Sequence, residues 1–352
     1  MGLTQAQKAM IEKARSGGGS EQGITLDDAA CAYLISVIAH DLGLSQQFPE
    51  LPSTVPPFYE ATELASLAVN GVEFHPLIDR LVSLNKDADT FFVCLASLHK
   101  RRLKYERILQ TQPIPTIEQV GPRGLLQYGT MSARALAGLL FWRKWLFDID
   151  NRAGQETGYL FEPINAHAIG GVPFGSKNSP IRRSIESAKG RQVDCVREKK
   201  AYEFKIRVTI ASSGQGRWQE ELDFPVDCKA SGFIPVLIVL DATPNPKLQQ
   251  LEQVFLAHGG EAHKGADAWA HLDSVAGPTM ALFLEKYVRA PIQAILVESS
   301  ERLPDFTAHM DAGGITFSVG GESLRIKRDA FAAQDDPAPQ LPDDVSDEIV
   351  GP

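Results

Sequence analysis

The sequence predicts an α/β (α+β) protein: a mixed central β-sheet flanked by helices, with a helical N-terminal region. Three features of its 352 residues carry that expectation. Arg191 to Arg207 holds two short β-prone runs joined by a polar turn. Phe233 to Asp241 (Phe-Ile-Pro-Val-Leu-Ile-Val-Leu-Asp) is continuously apolar, as a strand buried on both faces must be. Most of the remaining segments show helical apolar spacing, so the order hairpin, segment, buried strand, helix, helix, strand gives a sheet with helical layers.

Taken in order, residues 1–24 are expected to be flexible, with Ser16-Gly17-Gly18-Gly19-Ser20 as a linker-like run. A helical region follows over residues 25–150. Thr25 is placed to cap its first helix, with Asp28 three residues on and Ala32, Ile35 and Ala39 at helical spacing. Pro-rich Leu51 to Pro57 breaks the chain. Phe58 to Val69, Pro76 to Leu84 and Ala88 to Leu109 read as amphipathic helices. The last carries His99, Lys100, Arg101, Arg102, Lys104 and Arg107, a run that suits either an exposed helix face or a DNA backbone. Thr111 to Arg123 is a connection marked by Pro113, Pro115 and Pro122. Ser132 to Asp148 is a helix apolar enough (Leu136, Leu139, Leu140, Phe141, Trp145) to pack on the following domain or on a second subunit.

Residues 151–330 form the expected core domain. Gln155 to Pro163 reads as helical and holds Glu156 and Glu162. Gly170-Gly171-Val-Pro-Phe-Gly175-Ser176-Lys177 is not a phosphate-binding P-loop: the order is Ser-Lys, Pro173 interrupts it, and no strand signal precedes it. A Gly-rich loop with Lys177 and Asn178 suits close approach to DNA, or is a plain surface loop. Beyond the buried strand, Lys247 to His258 is a helix closed by Gly259-Gly260, and Ala266 to Val288 is largely helical. Ala294 to Val297 reads as an edge strand, and Ile315 to Val319 with Ser323 to Lys327 as a hairpin. Residues 331–352 are an acidic, Pro-rich tail expected to be disordered.

The chemistry concentrates in the first hairpin. Val193 to Val196 and Tyr202 to Ile210 are its strands, and Arg197-Glu198-Lys199-Lys200 its turn. Residues two apart on a strand share a face, so Glu203 and Lys205 point one way while Phe204 and Ile206 point into a core. Pairing of the strands brings Asp194 beside Glu203. Two carboxylates with an ammonium beside them suit a hard cation and its bound water.

Bulk properties narrow the setting. The net charge of −9 argues against indiscriminate coating of nucleic acid. Residues 177–207 nevertheless carry ten Lys or Arg against four Asp or Glu, a local net of +6, enough for phosphate contacts by residues such as Arg182 and Arg183. Arg217 can meet phosphate or guanine, and Gln215 an adenine edge. No apolar run approaches the ~20 residues a bilayer requires. The N-terminus has no apolar signal segment, and Ala6 stands where a myristoylation motif needs Ser or Thr. Cys31, Cys94, Cys195 and Cys228 lack zinc-type spacing and read as reduced thiols of a cytoplasmic protein. His167, His258, His263 and His271 also miss zinc spacing and read as packing or surface residues.

The order Asp194, eight residues, Glu203, one residue, Lys205 resembles the metal-binding core of the PD-(D/E)xK nucleases, with Val193 where proline is frequent. From Gly214 onward the resemblance narrows. Gly-Gln-Gly-Arg-Trp-Gln-Glu-Glu-Leu-Asp-Phe-Pro, the stretch from Ser231 to Leu248, and Ala268-Trp269-Ala270-His271-Leu272 with Phe283-Leu284-Glu285-Lys286-Tyr287-Val288 look like the ApaLI-type group of type II restriction endonucleases. The resemblance implies a restriction-endonuclease-like core and Mg²⁺ held by Asp194 and Glu203. It implies that Lys205 orients or helps deprotonate the attacking water, and that Glu156 or Glu162 is a further acidic group. It also implies a homodimer cutting double-stranded DNA at a short palindromic site, while the failed P-loop match and the short apolar runs argue for no nucleotide cofactor and no membrane. The residues alone leave two alternatives: a structure-specific repair or junction nuclease, and a non-catalytic DNA-binding protein.

Overall fold

The computed structural model describes residues 3–17, 23–60, 63–207, 215–241, 243–298 and 302–328. It divides into two compact units. One gathers Met1–Lys100 and Gly158–Pro291, and the other Arg101–Thr157 and the described residues from Ile292 on.

The first unit contains the mixed sheet, in the order β1-β2-β3-β4-β5 (Val172–Phe174, Val193–Arg197, Lys200–Lys205, Ile234–Val239, Glu261–Lys264). β1, β2 and β3 are antiparallel, whereas β3, β4 and β5 run parallel. The apolar run predicted as a doubly buried strand is β4, whose Val236 to Val239 are fully buried. On one face, Ala201, Leu237 and Val239 pack beneath α7 (Gln215–Ala230) and α8 (Pro246–Ala257) through Phe224, Cys228, Leu248, Leu251 and Phe255. The other face carries Tyr202 and Phe204, whose rings lie 5.8 Å apart. Gly259, at φ +76°, ends α8 as expected, and the chain turns straight into β5, a four-residue strand with no apolar alternation to announce it.

The N-terminal part of this unit holds α1 (Gln5–Arg15), α2 (Asp28–Asp41), α3 (Phe74–Leu84) and the start of α4 (Ala88–Thr111). The cap of α2 is Asp27, which accepts from Ala30 N–H, and not Thr25. The predicted helix over Phe58 to Val69 does not form: its described residues hold one 3-10 turn, Leu64–Ser66. Tertiary contacts override the local pattern there. Val69 N–H donates to Ala29 O at the start of α2, and Phe58 packs edge-on against Tyr287. α9 (Ala266–Leu284) kinks at Gly277, at φ 74°, and continues through a π-turn, Glu285–Arg289.

In the second unit, α5 (Ile117–Val120) and a 3-10 turn, Gly121–Gln127, occupy the Pro-marked connection. The two helical segments predicted over 132–163 are one helix, α6 (Ala133–Ala168), running through Pro163 and ending in the first unit's residues. A β-meander follows, β6 (Phe306–Asp311), β7 (Gly314–Val319) and β8 (Glu322–Lys327), of which the last two are the predicted hairpin. Trp145 and Ile149 of α6 pack with Ile108, Ile315, Phe317 and Ile326 into its core, so the meander covers that apolar helix face. The predicted edge strand Ala294 to Val297 is instead the end of α10 (Ala290–Leu296). Its Ile295 and Leu296 are largely exposed, so no sheet holds them extended. The acidic tail and residues 208–210 of the predicted second strand lie outside the described residues.

Candidate active site

The β2–β3 hairpin turns on two residues, Glu198 and Lys199, with Arg197 paired to Lys200. Cys195 pairs with Tyr202, so the next step of the ladder sets Asp194 opposite Glu203. Asp194 accepts a hydrogen bond from Phe204 N–H at 2.8 Å, which fixes its carboxylate at the end of the hairpin. Lys205, two residues beyond Glu203 and therefore on the same face, places Nζ 3.0 Å from Glu203 Oε1. The same Nζ lies 3.4 Å from Glu221 Oε1 of α7.

The electrostatics are those of an anionic cluster with one internal cation. Burial raises the Asp194 carboxyl well above its ordinary range, and the negative charges of Glu203 and Glu162 raise it further. Burial and Glu203 push Glu162, on α6, up to about 7, with Lys205 opposing. Burial works against the Lys205 charge, yet Glu203, Glu221 and Asp194 together raise its pKa above the ordinary lysine value. One ammonium therefore leaves the site short of positive charge, and the oxygen donors Asp194, Glu203 and Glu162 suit a hard divalent cation such as Mg²⁺.

Of the two glutamates considered as a further acidic group, Glu162 belongs to this cluster. Glu156 instead pairs with Arg101 at 2.6 Å and Lys104 at 2.8 Å in the second unit. That pairing also engages part of the basic run on α4, and His99 of the same run is buried.

The local charge of +6 shrinks in space, because acids from outside the stretch come to meet it. Arg183 lies 2.7 Å from Glu220, Arg191 2.5 Å from Asp227, and Lys200 2.6 Å from Glu261. Buried Asp227 also accepts from the Ser184 amide and hydroxyl, so these contacts bind the loop before the hairpin to α7. Lys177, Asn178 and Arg182 are exposed on that loop. Gly171 packs inward rather than toward a ligand: a Cβ there would lie 2.1 Å from Cys195 Sγ. Gln215 and Arg217 open α7, but their side chains lie outside the described residues.

Sequence spacing gave no signal for Glu221, which only the packing of α7 brings to Lys205. It also missed a second grouping. Glu261 and His263 alternate on one face of β5, and α9 brings His271 to them across the sheet. Burial, then His263 and Lys200, lower the His271 imidazole to about 4.

An anionic hairpin with a lysine, set on a mixed sheet between helices, is an arrangement suited to a metal-assisted hydrolase. Comparison with known proteins gives the particular family. The model of the ApaLI-like restriction endonuclease family matches residues 59–289. Type II restriction enzyme ApaLI of Acetobacter pasteurianus is 42% identical over 332 residues, covering 86% of this chain and 88% of that protein. No solved structure matches the chain. The chain belongs to the ApaLI-like restriction endonuclease family, and so to the DNA-cleaving hydrolases.

Proposed function

We propose that this chain is a type II site-specific endodeoxyribonuclease that hydrolyses double-stranded DNA at a short palindromic site, uses Mg²⁺, and acts as a cytoplasmic homodimer in a restriction–modification system. The observation that carries the reading is the meeting of Asp194, Glu203 and Lys205 at one end of the hairpin, in a chain of this family. A two-fold DNA site asks for a two-fold protein, hence the dimer.

Asp194 and Glu203 would hold the cation, with Glu162 as the further acidic group. A divalent cation held there would supply positive charge and make a bound water more acidic. Phe204 N–H holds the Asp194 carboxylate in place. Lys205 keeps its proton beside three carboxylates, which makes it a donor: it orients the attacking water and meets charge developing on the phosphate. Glu203 and Glu221 in turn orient Lys205. Lys177, Asn178 and Arg182 would contact DNA from the loop before the hairpin, Gln215 and Arg217 from the start of α7. Arg183 has a weaker claim, because Glu220 already engages its guanidinium.

Digestion of a sequenced plasmid with and without Mg²⁺, followed by mapping of the ends, tests the proposal. Discrete fragments sharing one short palindrome at their ends are expected. A preference for branched or damaged DNA would point to a repair or junction nuclease. Binding without any nicking, in Mg²⁺ or Mn²⁺, would point to a non-catalytic DNA-binding protein.

A further inference from the structure

We propose that Glu261, His263 and His271 form a second metal site, for a borderline divalent ion of the zinc type, distinct from the Mg²⁺ site of the hairpin. Among the described residues, these three are the group whose metal-ligating atoms converge, all lying within 4.8 Å of one another.

The site is built from two elements. Strand period puts Glu261 and His263 on one face of β5, at the height of Val236 and Ile238 of β4. α9 contributes His271, whose ring lies 4.2 Å from that of His263 and 5.9 Å from that of Tyr202. Tyr202 alternates with Glu203 along β3, so the cluster occupies the sheet face opposite Glu203 and Lys205.

Two observations separate the group from incidental packing. His271 Nε2 is buried and has no hydrogen-bond partner among the described residues. Buried polar nitrogens are ordinarily satisfied, and an orphan calls for a partner such as an ion. The carboxylate of Glu261 is already divided: Oε1 receives Lys200 at 2.6 Å, while Oε2 faces His263 Nε2 at 3.3 Å. That leaves Oε2 as the single oxygen ligand and Lys200 as the group that orients it, the kind of outer support a metal-bound carboxylate needs.

The dimensions agree. Tetrahedral zinc with bonds of about 2.0–2.1 Å separates its ligand atoms by about 3.3 Å, so side-chain rotation need close no more than about 1.5 Å. Two imidazoles and one carboxylate leave a fourth position for water and suit zinc, cobalt or nickel better than magnesium. Bound there, the ion would fasten β5, the edge strand, to α9.

The test is zinc stoichiometry by equilibrium dialysis, on the full chain in excess Mg²⁺, supported by the visible absorption of bound Co²⁺. One zinc per chain is expected for the natural protein and equally for Asp194→Asn. Loss of that zinc is expected for His271→Gln, for His263→Asn and for Glu261→Gln, with circular dichroism unchanged. Should His271→Gln fail to fold, the two β5 variants decide the question alone. Zinc retained by the β5 variants, no zinc on the natural protein, or zinc lost with Asp194→Asn would each overturn the proposal.

Discussion

At the scale of single residues, Lys205 is the cation of the proposed site. It is held by Glu203 two positions away on its own strand and by Glu221 from α7. Lys205→Gln removes the one cation among these carboxylates, and cleavage should fall by about 100-fold or more, as measured under single-turnover conditions. Glu162→Gln should also slow cleavage, whereas Glu156→Gln should leave the rate unchanged, because Glu156 serves Arg101 and Lys104. His167, also on α6, gives a pH prediction. Burial, then the charge of Lys13, lower its pKa in the folded protein. Its neutral form therefore belongs to the folded state, and the unfolded chain takes up the proton first. Stability from this group is complete above the ordinary histidine pKa of about 6.5 and declines as pH falls below it. His167→Gln should flatten that decline in urea melts taken between neutral and mildly acid pH.

At the scale of elements, the hairpin was legible because its signals are local. Alternation set the faces of Glu203 and Lys205, and a polar turn separated two β-prone runs. Sequence did not show the strain at the turn, where Glu198 sits at φ 56°. Two-residue hairpin turns of this kind favour Asn or Gly, and a side chain such as Glu is disfavoured there by about 1 kcal/mol. Glu198→Asn should therefore raise stability by about 0.5–1 kcal/mol in equilibrium unfolding, with cleavage unaffected. Two of the elements misread or missed are decided by distant partners. β5 (Glu-Ala-His-Lys) is a strand because β4 offers it a parallel edge. Residues 58–60 and 63–69 stay mostly irregular because Val69 and Phe58 are tied to α2 and Tyr287. Ala294 to Leu296 is helical although its apolar residues also suit a strand, an ambiguity inherent in short apolar runs.

At the scale of the whole molecule, charge had to be read in three dimensions. The basic stretch before and within the hairpin looked like a DNA-facing patch, yet Glu220, Asp227 and Glu261 meet Arg183, Arg191 and Lys200 of it. The Arg191–Asp227 pair is the most deeply buried such tie, and Arg191 also donates to the Glu220 carbonyl. Removing Asp227 leaves the buried Arg191 charge with only the more exposed Glu220 as a partner. Asp227→Ala should therefore destabilise the protein by about 3–5 kcal/mol in chemical denaturation. The candidate active site was legible as a trio from sequence because it lies within twelve residues, Asp194 to Lys205. Its helical contributors were not so readily seen: Glu162 was one of two possible acids, and Glu221 carried no signal. The Glu261–His263–His271 group was invisible for the same reason, since the imidazoles meet only once α9 packs on the sheet.

The central claim is that Asp194, Glu203 and Lys205 together cut the phosphodiester bond. It is tested most directly by the Mg²⁺-dependent single-turnover cleavage rate of Asp194→Asn on a DNA duplex carrying the mapped site, with duplex binding measured in parallel. The account predicts that cleavage falls by about 1,000-fold or more while the duplex is still bound and the fold retained. An Asp194→Asn protein that cuts at the natural rate would contradict it.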